Sequence, residues 1–265
     1  MPLGKPLNNI DAYKAGDVVA AYAHDSALQQ SEITVLQLLR DRLAGMNMLD
    51  LGVGGGRTTF HFAKLVKRYL GIDYSAAMIA ACHERFANVP GHVAFEVGDA
   101  RALTQLADDT FDFVFFSFNG LDNISHEDRL QALKEIHRVA KRGGCFCFST
   151  HNLQSHAKLF GLKQQFALNP RRPAQNLVSW FELNYRYNPR LDRDSLLHAP
   201  YAVINDGAHE YRLQTYYIRP LEQIGQLQEH FGKVRVFAAS GAEISGELAL
   251  QANQDRWLYF LCEAK

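Results

Sequence analysis

From residue 46 onward the sequence alternates short β-rich runs with amphipathic stretches, and this alternation constrains the fold more than any other feature. Strands that alternate with helices pair in parallel, and right-handed crossovers place the helices on both faces of one open sheet. The sequence therefore predicts an α/β fold, doubly wound around a mostly parallel, seven-stranded sheet. The predicted core strands are 46–51, 69–73, 92–97, 111–117, 144–150, 234–238 and 257–262, with helices beginning near Arg57, Ala76, His126 and Pro220.

The alternation stops after residue 150, where Asn, Arg, Pro and aromatic residues replace it. A structureless loop of about fifty residues is improbable in a compact domain, so we expect an insertion with structure of its own. We predict a cap over 151–218 that ends in a hairpin with a tight turn at Asp206-Gly207. The whole chain, 1–265, is predicted to form a single domain, with N-terminal helices in 1–45 and a core made of 46–150 and 219–265.

The charge balance excludes several kinds of ligand. The 265 residues include 28 basic and 28 acidic side chains, and no long basic run marks a surface for nucleic acid or an anionic membrane. The most apolar stretch, 111–121, contains Asp112 and is far shorter than the ~20 residues of a spanning helix. The N-terminus has no apolar core of a secretory signal. We expect a cytoplasmic monomer or homodimer that acts on a small molecule, without nucleic acid or membrane partners.

The sequence contains no spacing typical of a metal site. Cys145 and Cys147 lack a second ligand pair at zinc spacing, and the histidines His151 and His156 lack a partnering acid. We therefore predict no metal and interpret the cysteines as core thiols.

A glycine-rich turn, Gly52-Val53-Gly54-Gly55-Gly56, follows the first predicted strand and precedes the first helix. Glycines let the backbone bend sharply and approach a ligand, while a helix N-terminus offers unpaired N–H groups and partial positive charge. A dinucleotide fingerprint needs another glycine at the position of Arg57, which weakens a pyrophosphate interpretation. A merely structural loop is the alternative.

Three acids close neighbouring strands. Asp50 ends the first strand, Asp73 ends the second at 21 residues after Gly52, and Asp99 ends the third. An acid at the position of Asp73 can accept both hydroxyls of a ribose, and open α/β sheets bind ligands at this edge. The alternative is that each acid caps the following helix or turn.

In combination these residues resemble the class I S-adenosylmethionine-dependent methyltransferases, whose sheet is Rossmann-like. Residues 50–56 resemble the first motif of the family, Asp73 its ribose-binding acid and 98–100 its adenine-side motif. Residues 111–117 resemble its fourth strand, and 138–144 the stretch before the fifth, with Arg142 where proline is usual. The resemblance covers about 46–150 and, more weakly, the last 45 residues.

The resemblance implies S-adenosylmethionine as the cofactor. Gly52 and Gly54 would face its amino acid end, and Arg57 would pair with its carboxylate or else face solvent. Asp73 would hold the ribose, and Met78 would pack near the adenine. The complete set of cofactor-binding residues so predicted is Tyr22, Asp50, Gly52, Val53, Gly54, Arg57, Asp73, Tyr74, Met78, Asp99, Ala100, Arg101, Ser117 and Phe118.

Candidate acceptor residues follow the fourth and fifth strands or lie in the predicted cap. His151 could take up a proton near neutral pH or be a structural histidine. Tyrosine faces could stabilise a sulfonium or a developing ammonium ion, or simply pack. The predicted catalytic residues are His151, Asn119, Tyr216 and Tyr185, and the wider set adds Phe118, Asp122, Asn123, Asn152, Tyr187, His209, Tyr211 and Tyr217.

The sequence thus favours transfer of a methyl group to a small-molecule acceptor by in-line displacement. Two alternatives stay open. One breaks a different C–S bond, as in cyclisation to azetidine-2-carboxylate with release of methylthioadenosine. The other is a sensor that binds the cofactor without turnover.

Overall fold

One mixed β-sheet forms the centre of the fold. The structure is a computed structural model that describes residues 26–89, 91–161 and 173–265. The described strands run in the order β3-β2-β1-β4-β5-β10-β8-β9, and β7 joins β5 and carries β6. Their bounds are β1 Asn47–Leu51, β2 Arg68–Asp73, β3 Val93–Val97, β4 Phe111–Phe116, β5 Ala140–Asn152, β6 Tyr201–Ile204, β7 Thr215–Ile218, β8 Phe231–Phe237, β9 Glu243–Ile244 and β10 Trp257–Ala264.

The pairing confirms the predicted fold class. Strands β1 to β5 pair in parallel, while β10 runs antiparallel to both β5 and β8. The described sheet has ten strands rather than the predicted seven. The additional strands are β6 and β7, which come from the predicted insertion, and the two-residue β9, which extends the edge beyond β8.

Helices separate the strands on both sides of the sheet. Ser75 and Ser125 cap the helices after β2 and β4, accepting hydrogen bonds from the backbone N–H groups of Met78 and Asp128. The described α-helices are α1 Gln30–Leu43, α2 Thr59–Phe62, α3 Ala76–Arg85, α4 His126–Val139, α5 His156–Phe160, α6 Pro173–Phe181, α7 Arg193–Leu196, α8 Ala208–Tyr211, α9 Pro220–Leu227 and α10 Glu247–Ala252. None of the helices in the described residues is long and apolar enough to cross a membrane.

The core lies on both faces of the sheet, because successive residues of a strand point to opposite sides. Along β4, Val114 and Phe116 pack into one apolar cluster, whereas Phe113 and Phe115 pack into another. The four cysteines are free and buried, as expected of core thiols.

Residues of the predicted insertion form a third apolar cluster, which includes Leu153, Leu183 and Ile204. The predicted hairpin of β6 and β7 is present. The prediction of a tight turn at Asp206-Gly207 is wrong, because the short helix α8 lies in the connection between the two strands. Strand β5 runs past the predicted end of the core at residue 150, since β10 pairs with it as far as His151. The domain boundaries remain a prediction.

Candidate active site

A cavity opens at the carboxyl ends of β1 to β4 and encloses about 1390 Å³, counted out to its open mouth. Tyr22 lies outside the described residues, and Asp50 lies beneath the cavity without lining it. The other predicted cofactor-binding residues all line it: Gly52, Val53, Gly54, Arg57, Asp73, Tyr74, Met78, Asp99, Ala100, Arg101, Ser117 and Phe118. The structure therefore gathers at one sheet edge what the sequence separates by up to 66 residues.

The glycine turn bends because Gly52 and Gly54 adopt φ angles of +60° and +53°. These values lie in the left-handed region that side chains other than glycine rarely occupy. A Cβ atom on Gly52 would meet the Phe116 ring at 2.7 Å, but one on Gly54 would have no heavy atom within 4 Å. The backbone at Gly54 thus borders open space, as the wall of a ligand cradle must.

Asp73 faces the glycine turn. Its Oδ2 accepts a hydrogen bond from the Gly54 N–H at 2.9 Å, and Oδ1 accepts one from the Ser75 N–H at 2.8 Å. The next helix is capped by the Ser75 hydroxyl rather than by Asp73. Burial raises the pKa of Asp73. Each carboxylate oxygen keeps a further lone pair, so the group can still accept hydroxyl donors from a ligand.

Asp50 supports the turn from below. Its Oδ2 accepts hydrogen bonds from the hydroxyls of Thr58 and Tyr69, both at 2.5 Å. Burial raises the pKa of Asp50 to about 6. Asp50 therefore links β1 to the residues that follow the glycine turn.

Arg57 is buried, so the expectation that it could face solvent is wrong. Its guanidinium binds both carboxylate oxygens of Glu32 at 2.6 Å and donates to Ser117 Oγ at 3.0 Å. The Tyr259 hydroxyl also donates to Glu32, at 2.7 Å. Glu32 was not among the predicted site residues. Its position beside Val35 on the apolar face of α1 was a signal, because a charged residue on such a face indicates a buried partner.

Asp99 forms a turn and an ion pair at the rim of the cavity. It accepts from the backbone N–H of Arg101 at 2.9 Å and from its guanidinium at 2.6 Å, which lowers the pKa of Asp99. Arg101 also binds Asp128 at 2.8 Å. The turn-capping alternative for Asp99 is therefore realised, together with a position on the cavity wall.

A second cavity adjoins the first, because Phe118 and Asn123 line both. Phe118 and Asn119 have consecutive positive φ angles of 55° and 60°, a strained conformation, and both residues line the second cavity. The residues around the second cavity are Gln29, Phe118, Asn119, Asn123, His151, Asp206, Ala208, Leu213, Thr215 and Trp257.

His151 reaches this second cavity with a buried acid behind it. Its Nδ1 lies 2.7 Å from Asp122 Oδ2, and its backbone N–H donates to the same oxygen at 2.7 Å. Oδ1 of Asp122 accepts from Arg129 at 2.8 Å and from the Thr150 hydroxyl at 2.6 Å. The expectation that His151 lacks a partnering acid is wrong.

The network fixes how His151 can act. Because a carboxylate only accepts hydrogen bonds, Nδ1 carries the proton and Nε2 of the neutral ring is an acceptor. No bond from Nε2 to another described residue exists. Arg129 is fully buried and balances the charge of Asp122, so the acid mainly orients the ring. The sequence signal for this network was the position of an arginine, Arg129, on the apolar face of α4.

Of the four predicted catalytic residues, His151 and Asn119 line the second cavity, whereas Tyr216 and Tyr185 line neither. Tyr216 is buried, and its hydroxyl lies 2.8 Å from Nδ1 of His126. Tyr185 is exposed and packs against Trp180 and Phe181. These two tyrosines lie in packing contacts away from the cavities.

The wider candidate set is also divided. Tyr187 and Tyr211 stack on each other with ring centroids 4.0 Å apart, and Asn152 binds Asn253 beside the sheet. Tyr217 packs beside His151, and the side chain of His209 lies outside the described residues. No group of three His, Cys, Asp or Glu side chains in the described ranges could hold a metal ion.

Sequence comparison covers part of the chain. A family model described as a methyltransferase domain matches residues 48–144. A demethylmenaquinone methyltransferase of Staphylococcus aureus is 38% identical over 128 residues, which make up 47% of this chain and 49% of that protein. The chain thus spans about half the length of the curated relatives it matches.

Structural comparison covers nearly all of it. The PH0226 protein of Pyrococcus horikoshii aligns with a TM-score of 0.61 and 21% identity over 96% of this chain and 99% of that chain. An S-adenosylmethionine-dependent methyltransferase from Mesorhizobium loti gives 0.58 and 18% over 88% and 97%. At such identities the likeness concerns the fold.

The fold is Rossmann-like, and the first cavity lies at the carboxyl edge of the sheet, where open α/β sheets bind their ligands. Residues 48–144 are thus similar to a methyltransferase domain, and the fold of the chain is similar to that of a solved S-adenosylmethionine-dependent methyltransferase.

Proposed function

We propose that the protein transfers a methyl group from S-adenosylmethionine in the first cavity to a small molecule in the second. The observation that carries this proposal is the adjacency of the two cavities, with an acid-backed histidine on the far one. Asp206, Leu213 and Thr215 contribute to the second cavity from the insertion, so we further propose that 151–218 acts as the cap over the acceptor.

The residues of the first cavity fit the cofactor. The open backbone at Gly54 leaves room for it, and Asp73 retains acceptor lone pairs at the edge where a ribose would lie. When bound, S-adenosylmethionine supplies an electrophilic methyl group on a sulfonium sulfur. The other predicted cavity residues would surround the cofactor, and Asp50 would support them from beneath.

The chain itself supplies alignment, exclusion of water and a proton acceptor. Holding the two reactants in line can contribute up to ~7 to 11 kcal/mol in favourable systems. Phe118 lines both cavities and Asn119 lines the second, so these two residues would fix the direction of approach. Nε2 of His151 would take the proton that the acceptor loses.

The decisive experiment identifies which bond of the cofactor breaks. Incubation with S-adenosylmethionine alone is expected to leave the cofactor largely intact, with S-adenosylhomocysteine formed only after an acceptor is added. Chromatography of the sulfur products measures this. Catalytic release of methylthioadenosine without a second substrate would establish the cyclisation alternative instead.

The ribose assignment predicts a loss of cofactor affinity in Asp73→Ala. The substitution removes a charge-assisted contact of order 1.5 to 3 kcal/mol, so the Kd of S-adenosylhomocysteine measured by calorimetry should rise by about 10- to 150-fold. Asp112→Ala is the matched control, because Asp112 pairs with Lys141 at the opposite end of the strands. Equal affinity in the wild type and Asp73→Ala, with both folded, would contradict the assignment.

A further inference from the structure

The described lining of the second cavity includes one carboxylate, that of Asp206. Among its described lining residues, Asp206 is the one acidic side chain, and no lysine or arginine accompanies it. Ion pairs between described residues do not include Asp206. The nearby Arg129 is committed to Asp122 behind His151. Arg256 acts on the Tyr217 hydroxyl that binds Asp206 but is not among the described lining residues, so a ligand in this cavity meets the carboxylate of Asp206.

Asp206 is held in place with acceptor capacity to spare. Oδ2 accepts a hydrogen bond from the Tyr217 hydroxyl at 2.9 Å, and Oδ1 accepts one from the Ala208 N–H at 3.1 Å. Burial raises the pKa of Tyr217, which keeps its hydroxyl a donor. A carboxylate offers about four lone-pair sites, so roughly two of them stay open for a ligand.

The same tyrosine connects Asp206 to the proton acceptor. The ring of Tyr217 lies 4.8 Å from that of His151, centroid to centroid, while its hydroxyl reaches Asp206. Tyr217 therefore lies between the Asp206 carboxylate and the His151 imidazole, and its side chain spans the distance between them. Trp257 and Phe118 add aromatic groups to the lining, and aromatic faces attract cations.

We propose that the acceptor is an amine, which binds as its ammonium ion against Asp206 and loses one proton to His151. This inference rests on the proposed function and names the acceptor class of the same site. The Staphylococcus aureus relative is named for another class of acceptor, because demethylmenaquinone is a quinone and not an amine. Most of the second cavity, including His151, Asp206 and Trp257, lies outside the matched residues 48–144.

The proposed step balances in charge and protons. The bound ammonium gives one proton to Nε2 of His151, which exposes the nitrogen lone pair. That lone pair forms the new N–C bond, and the electron pair of the broken S–C bond stays on sulfur. The product is a methylated ammonium ion, whose positive charge again faces Asp206, and the proton on His151 passes to water.

An anionic nucleophile fits this cavity poorly. A phenolate or enolate would approach the carboxylate of Asp206 with like charge, and the described lining offers no cation to offset the repulsion. An ammonium ion gains a charge-assisted hydrogen bond at the same place. The carboxylate of Asp206 thus favours a positively charged acceptor over an anionic one.

Binding of matched amines and alcohols tests the proposal. Propylamine, benzylamine and 2-phenylethylamine are titrated against propanol, benzyl alcohol and 2-phenylethanol, with S-adenosylhomocysteine present. The chain has two tryptophans, so Trp180→Phe leaves Trp257 as the fluorescent reporter in the cavity. We expect at least one amine to bind about 10- to 100-fold more tightly than its alcohol.

Asp206→Asn should reduce this preference to within about 3-fold, because the amide keeps the shape and removes the charge. Asp192→Asn is the matched control, since Asp192 caps α7 on the protein surface and should preserve the preference. Equal binding of every amine and its alcohol, or an unchanged preference in Asp206→Asn, would overturn the amine assignment.

The proposed function can fail separately. S-adenosylhomocysteine production with phenols or carbon acids, but with none of the amines, would keep methyl transfer and refute the amine. An ammonium preference without S-adenosylhomocysteine production from any acceptor class would refute methyl transfer and leave an amine-binding pocket.

Discussion

Replacement of His151 by glutamine is expected to slow methyl transfer by about 10²- to 10⁴-fold, the usual contribution of a general base. Glutamine preserves much of the side-chain volume but has no nitrogen that can take up a proton. Single-turnover formation of S-adenosylhomocysteine, with the acceptor that the wild type methylates fastest, measures the effect. Affinity for S-adenosylhomocysteine should stay unchanged, because His151 lines the second cavity and not the first.

His156→Gln is the matched control. Nδ1 of His156 lies 2.9 Å from the Leu153 carbonyl oxygen, and this histidine lines neither cavity. His151→Ala adds a second readout, since free imidazole should restore part of the rate in the space left by the ring. A rate near that of the wild type in His151→Gln, or an absence of rescue in His151→Ala, would argue for a structural histidine.

Asp122→Ala is expected to lower the free energy of unfolding by about 3 to 5 kcal/mol, the typical cost of leaving one partner of a buried ion pair alone. Arg129 is fully buried, and its remaining described hydrogen bonds go to the neutral side chains of Thr150 and Gln223. Its charge would therefore be uncompensated. Denaturant unfolding of the wild type and the variant measures the difference.

The double variant Asp122→Ala/Arg129→Met separates stability from function. Removing both charges should recover most of the stability, because apolar replacements of a buried pair are often neutral. Activity should stay low, since His151 loses the acid that orients it. Lys141→Met is the surface control and should cost below about 1 kcal/mol, as its pair with Asp112 is partly exposed. A loss of less than about 1 kcal/mol of unfolding free energy in Asp122→Ala would contradict a tightly coupled pair of Asp122 and Arg129.

The parts of the fold that the sequence predicted have local causes. Parallel strands covered on both faces read as continuous apolar runs, which is why β4 was recognisable from its sequence. The turn at Gly52 and Gly54 and the acid Asp73 were recognisable because sharp backbone bends and strand-end spacing leave a mark in a few consecutive residues.

The rest depends on contacts between distant residues. Glu32 meets Arg57 across 25 positions, and Asp122 meets His151 across 29. A charge on an apolar helix face predicts that a partner exists, but not which residue it is. The predicted tight turn at Asp206 is wrong because the Asn188 side chain holds the chain in a longer connection. Its Nδ2 donates to the Asn205 carbonyl oxygen at 2.8 Å, and its Oδ1 accepts from the Asn205 N–H at 3.0 Å.

The insertion is attached to the main sheet by a very short ladder. Strand β7 pairs with β5 at two positions, His151 with Tyr217 and Asn152 with Ile218, whereas β10 pairs with β5 at seven. Opening the shorter ladder would separate the wall that carries Asp206 from the floor that carries His151. It would break none of the strand pairs beneath the glycine turn. In the proposed function, acceptor and product would thus enter and leave without any change in the strands beneath the cofactor cavity.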